Sequence, residues 1–254
     1  MTATILYVGR ALIIGAVALA LTGCGGGGGG STDSGPLPAG TLHAFVDGDQ
    51  WQYSLAGTES LGGQNFTLTG TETKTVAATT LNGAPVLAVT THDVFLVDTQ
   101  SIDESTTSYE TQDPITGDIK LVADTQGPGG SLRMVTTQQV VQSGSFGTGT
   151  SRSSSVTFDS GQTQSSSESI QGHTFITVPT GTYNTWQALL TKTDTNGISS
   201  TDNEWWAPEI GAFIKATVSG TEPGFTIHFT LSLTSTTVVP PSTPATRFSV
   251  SNVT

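Results

Sequence analysis

The sequence predicts an all-β protein. Its folded part reads as a single antiparallel meander of about 10–13 strands, closing as a curved half-barrel, a barrel or a sandwich. Three observations lead there. Helix formers are scarce, with only four Lys in the chain, and no ten-residue segment after the leader keeps a 3.6-residue apolar period. Ser and Thr make up about three residues in ten, and Thr favours strands. Asn82-Gly83 and Asn196-Gly197 are two-residue hairpin signals between alternating segments.

The chain opens on a leader. Ala11 to Leu21 is an unbroken run of apolar and small residues behind one basic residue, Arg10. Eleven helical residues rise about 16 Å, roughly half the thickness of a bilayer core, so the run reads as a secretory signal over residues 1–23. Cys24, the only cysteine, stands between this run and Gly25 to Gly30. One cysteine excludes an internal disulfide and a thiol-only metal site. Residues 24–41 have nothing apolar to bury and read as a flexible Gly/Ser/Pro linker.

Leu21-Thr22-Gly23-Cys24 resembles the lipobox of bacterial lipoproteins. The resemblance implies that the Cys24 thiol carries diacylglycerol, that cleavage makes Cys24 the first mature residue, and that its amino group is then acylated, placing palmitate-type chains in the membrane. Two or more acyl chains anchor a protein stably, where one does so marginally. In that family an Asp after the cysteine retains the protein in the inner membrane. Here the residue is Gly25, which points to the outer membrane, with the domain either periplasmic or surface-exposed.

Residues 42–239 read as the β domain. "DGDQWQYSLAG" leads through a turn into a strand, "QNFTLTGTETKTV" and "LNGAPVLAVTT" form a hairpin, and "DVFLVDTQS", "TSYETQD" and "DIKLVADTQ" follow. "SLRMVTTQQVVQSG" fits a strand or a short helix over 134–142. "GSFGTGTSRSSSVTFDSGQTQSSSES" is so small and polar that long hairpin tips or a mobile loop are expected. The last third repeats strand and turn. It ends in a strand where Phe225, Ile227, Phe229, Leu231 and Leu233 face one way and Thr226, His228, Thr230, Ser232 and Thr234 the other. Prolines stop it, and 240–254 reads as a loose tail. "VPTGTY" followed by "WWAPEIG", with "GDQWQYS" near the start, resembles uncharacterised bacterial exported β-domains. That resemblance implies a curved antiparallel sheet and adds no chemistry.

Composition and motifs exclude more than they assign. The net charge is −12, and removing the leader takes Arg10 away, leaving seven Lys and Arg against twenty Asp and Glu. Phosphate contacts need cations, so a nucleic-acid partner is not expected. No G-x-S-x-G elbow, P-loop or dinucleotide fingerprint is present, and His43, His92, His173 and His228 form no local metal signature. They read as exposed and uncommitted. Asp47 with Asp49, and Asp194, Asn196, Asp202 and Glu204, supply Ca²⁺-type oxygens but equally read as turn residues. Neither cofactor nor metal nor catalysis is expected. Trp205 and Trp206 are adjacent on a strand, so they point to opposite faces. The expected role is an envelope lipoprotein that holds a hydrophobic ligand or lipid against an apolar concave face. The alternative is an adhesion or structural module that binds a protein or glycan. Trp51, Trp205, Trp206, Phe225 and Phe229 are the candidate contacts.

Overall fold

A computed structural model describes residues 37–125, 130–137 and 139–239. The leader, Cys24, its linker as far as residue 36, and the tail from residue 240 lie outside the described residues. Thirteen strands build one antiparallel sheet: β1 (Gln50–Leu61), β2 (Gln64–Leu81), β3 (Ala84–Val97), β4 (Gln100–Gln112), β5 (Ile119–Asp124), β6 (Arg133–Met134), β7 (Val140–Gln142), β8 (Ser151–Thr157), β9 (Thr163–Val178), β10 (Gly181–Asp194), β11 (Ser199–Ala207), β12 (Ala212–Glu222) and β13 (Phe225–Thr236). The order is β6-β5-β4-β3-β2-β1-β13-β12-β11-β10-β9-β8, with β7 beside β5. The sheet is open, and its two meanders meet where β1 pairs with β13. The two ends of the strand order nonetheless approach each other, because Val135 forms an isolated bridge with Phe158.

Local chemistry explains the turns. Asn82-Gly83 adopts positive φ at both residues, 51° and 81°, as a two-residue hairpin requires. Gly57 answers to a different need: a Cβ there would lie 2.5 Å from the Phe229 Cα, so its lack of a side chain lets β1 approach β13 closely where the sheet coils.

Of the two readings of 134–142 the strand holds: Arg133–Met134 and Val140–Gln142 form β6 and β7, whose backbones pair with β5. One expectation is corrected. The Ser-rich stretch, expected as hairpin tips or a mobile loop, forms β8 and the first seven residues of β9. Its serines alternate with Val156 and Ile170, which are 0% and 5% exposed, and this buried row sets the register.

The core runs along β1, β12 and β13, where Tyr53, Leu55, Phe229, Leu231 and Leu233 are buried in one cluster. A second cluster joins Leu42, Ile119, Leu121, Val156, Phe158 and Trp186. The segment before β1 straps the two meanders together. Trp186 Nε1 donates to the Ala39 carbonyl (2.9 Å), Leu42 N to Gly144 O (2.8 Å), His43 N to Pro208 O (2.7 Å), and Phe45 N to Gln112 Oε1 (2.8 Å).

Candidate functional site

The concave side carries a row of ionisable groups that alternation places among apolar neighbours. On β2, Leu68, Glu72, Lys74 and Val76 share one parity and are all buried. Asp93 on β3, Glu110 on β4, Glu168 on β9, and Asp202 and Glu204 on β11 are buried likewise. Lys74 Nζ lies 3.3 Å from Glu72 Oε1 and sits over the rings of Phe213 and Tyr53, at 4.2 and 5.3 Å. Lys192 Nζ lies 3.0 Å from Asp202 Oδ2. Glu110 accepts from Ser108 Oγ at 2.6 Å, and Glu204 Oε2 accepts from Trp206 Nε1 at 2.7 Å.

Burying more carboxylates than cations costs desolvation energy, and these groups respond by holding protons. Desolvation, with the charges of Glu72 and Glu104 added, pushes Asp93 up to about 8, while Lys74 pulls the other way. Glu168 is pushed to about 7 by desolvation and by Glu204, against Arg152 and Lys192. Burial likewise raises Glu110 and Glu204. Tyr53 is raised by burial first and by Glu72 and Glu204 after it, so its hydroxyl stays protonated between the two meanders.

The concave face therefore interleaves buried acids with two apolar clusters, where the sequence led to the expectation of an apolar concave face. A cavity of about 80 Å³ opens beside the apolar wall of β1, β12 and β13, lined by Phe45, Trp51, Tyr53, Lys74, Glu110 and Trp206 among others, and by no residue of the Phe225–Thr236 strand. Asp202 and Glu204 stood out in sequence only as turn or Ca²⁺-type residues, and Glu72 was missed because Thr separates the charges, as in "TETKT". The usable signal was parity: Glu72 and Lys74 fall on the Leu68–Val76 row.

The candidate contacts divide between interior and exterior. Phe225 and Phe229 are buried core residues, 3% and 1% exposed. Trp51 is buried too, its Nε1 donating to the Ile210 carbonyl at 2.8 Å. Trp206 faces inward, against Phe146 and Phe213. Trp205 faces outward, with Lys215 Nζ 5.5 Å from its ring centre.

His92 and His228 are exposed as expected, but all four histidines make side-chain contacts. His43 reaches Asp49 at 3.0 Å, His92 reaches Asp103 at 2.9 Å, His228 reaches Ser219 at 2.8 Å, and His173 stands edge-on to Trp186. The two acidic groups serve as turn residues or interior acids. Asp49 accepts from Val46 N, and Asp194 accepts from Asn196 N and Ile198 N, while Asp202 and Glu204 point inside. Among the described residues no group of three His, Cys, Asp or Glu is placed to hold a metal.

The convex face is a field of hydroxyls. One ladder runs Ser167–Thr191–Thr201–Ser219–His228–Thr58 across six strands, every member exposed. Ser167 and Thr191 are linked Oγ to Oγ1 at 3.1 Å. Over β8–β10 a groove of about 540 Å³ is lined by residues of both parities, the outward Ser153, Ser155, Ser165, Ser167, Thr191 and Thr193 and the inward-row Ser154, Ser166 and Lys192, with Gln139.

Fold and site together define an open antiparallel β half-barrel with ionisable groups inside and uncharged hydroxyls outside. No family profile matches the chain, and no curated relative matches it. Two solved structures share a remote likeness. One is a candidate exported protein with a YmcC-like fold from Bacteroides fragilis, 10% identical over 78% of this chain and 99% of that one, TM-score 0.38. The other is a candidate lipoprotein from Parabacteroides distasonis, 12% identical over 78% and 98%, TM-score 0.37.

Proposed function

We propose that the chain is a non-catalytic bacterial envelope lipoprotein, anchored through Cys24, that displays a β half-barrel and binds its partner on the outside. The observation that carries the anchor is Leu21-Thr22-Gly23-Cys24 between an apolar run and a glycine linker. The linker leads into the strap at Ala39, so the tether would join the domain where its two meanders are tied together. The outer membrane is the favoured destination, since Gly25 follows the cysteine.

Exterior binding is favoured over the hydrophobic-ligand reading on grounds of volume and charge. Pockets for drug-sized ligands span roughly 300–1,000 Å³ and are mostly apolar. The cavity beside the apolar wall is about 80 Å³, and Lys74 and Glu110 reach into it. A lipid chain there would have to displace packed side chains and desolvate charge.

The test is metabolic labelling of cells with an alkyne fatty acid, followed by membrane fractionation. The wild-type chain is expected to take the label and sediment with membranes, and Cys24→Ser to do neither. Unlabelled wild type, or label retained by Cys24→Ser, refutes the anchor.

A further inference from the structure

We propose that the half-barrel parts along the seam between β6 and β8 when its interior acids ionise, with the β1–β13 ladder as the hinge. The two junctions differ in strength. β1 and β13 pair over eleven residues, from Trp51–Thr236 to Leu61–Phe225. The seam is held by much less. At one end stand the isolated Val135–Phe158 bridge, the bonds of 2.9 Å from Thr136 N to Thr157 O and from Asp159 N to Met134 O, and the Arg133 guanidinium over the Phe158 ring. Farther along, side chains replace a ladder. Gln139 Oε1 accepts from Ser155 N at 3.0 Å, and Arg152 Nη2 donates to the Ser145 carbonyl at 2.6 Å. The strap braces this second end, because Thr41 bridges to Ser145 and Ala39 is bonded to Trp186 of β10. The Val135–Phe158 end is therefore the one that opens.

Charge supplies the force. On the first meander Glu72, Asp93 and Glu104 are direct cross-strand neighbours on the inward row of β2, β3 and β4, an arrangement that like charges oppose. Lys74 is the cation that faces them, and Glu110 lies further along β4. On the second meander Glu168 stands opposite Arg152 of β8, with Lys192 on β10 and Asp202 and Glu204 on β11. The two sets reach each other across the interior: Glu72 and Glu204 both act on Tyr53, and Lys74 acts on Glu204. Asp93 Oδ1 and Glu168 Oε1 have no hydrogen-bond partner, in residues 2% and 5% exposed. Such a carboxyl is tolerated as a neutral acid and is costly as an anion. With the seam shut, Glu168 keeps its proton up to about 7 and Asp93 up to about 8, against ordinary values of 4.5 and 3.8 in water. The shut form binds more protons, so rising pH favours the parted form through this window. Parting lets water reach both carboxylates while the β1–β13 ladder stays intact.

The test is pulsed electron paramagnetic resonance on the full Cys24→Ser chain in detergent, in which no other thiol takes a label. One nitroxide pair spans the seam, at Thr137→Cys and Ser160→Cys, and a second spans the hinge, at Thr58→Cys and Thr226→Cys, all exposed positions. From about pH 5 to about pH 9 the seam distance is expected to lengthen by about 5 Å or more, the spacing of one strand. The hinge distance should not change. Adding Asp93→Asn and Glu168→Gln together should keep the seam shut throughout, and each alone should narrow the change, which carries the test if the double variant does not fold. A seam distance that ignores pH, lengthening of both pairs together as in global unfolding, or parting undiminished by the neutral substitutions overturns the proposal.

Discussion

Asp93 offers the sharpest test of the charged interior. Its carboxyl is 2% exposed and faces Glu72 and Glu104 as like charges, with Lys74 as the opposing cation. In the folded chain it holds its proton up to about pH 8, against an ordinary value of 3.8. Between those limits the folded state binds more protons than the unfolded one, so stability falls as pH rises. The contribution is fully present below about pH 4 and lost as pH climbs through about 8. At about 1.4 kcal/mol per pH unit the whole span is worth on the order of 5 kcal/mol, a large share of a domain's net stability. Asp93→Asn keeps the shape and removes the ionisation. It should lose little at pH 5 and exceed the wild type in stability at pH 8 to 9. Urea unfolding of both chains, followed by tryptophan fluorescence from pH 5 to 9, checks this. If the two curves of stability against pH run parallel, Asp93 does not hold its proton and the account of the interior is wrong.

Other consequences follow from single contacts. Glu168 is held to about 7, so its contribution fades between about pH 4.5 and 7; Glu168→Gln should flatten the wild-type slope in that window, measured by the same unfolding series. Arg133 binds Asp124 through two hydrogen bonds of 2.8 Å and covers the Phe158 ring at 4.1 Å, holding the seam where β6 meets the end of β8. Arg133→Ala should cost roughly 3–5 kcal/mol by leaving Asp124 a buried carboxylate without this pair, and hydrogen exchange should rise first at residues 133–136 and 157–159. Trp51→Phe leaves the Ile210 carbonyl without its donor and should cost about 1–3 kcal/mol in thermal unfolding. Phe229→Ala opens a hole in the β1–β13 wall and should cost about 3–5 kcal/mol.

Much of the fold was legible from short-range pattern. The alternation from Phe225 to Leu233 marks β13 with its inward and outward faces, and Asn82-Gly83 marks the β2–β3 turn, because side-chain parity and turn geometry are local properties. Trp205 and Trp206 were separable for the same reason. The serine-rich β8 and β9 were less legible, since serine has weak strand preference and the register came from single apolar residues such as Val156 and Ile170. Alternation put His228 on the outward face of β13, where it lies, but not the partners of the histidines: His92 meets Asp103 and His228 meets Ser219 only because neighbouring strands bring them together.

By itself the sequence determined the strand composition, the hairpin turns, the strong acidic balance, and the placement of a lone cysteine behind an apolar leader. These follow from residue type and spacing alone. Tertiary structure decided where the charges go. Curling the sheet turns the parity of Glu72, Asp93, Glu168 and Glu204 inward, gathering Glu72 and Glu204 around Tyr53, Asp93 near Lys74, and Glu168 beside Glu204, across separations far larger than any local pattern. The same curl leaves the Ser and Thr of the opposite parity, such as Ser167, Thr191 and Thr201, outside. Alternation tells which residues share a face of a strand, but only the curl of the sheet decides which face becomes the interior.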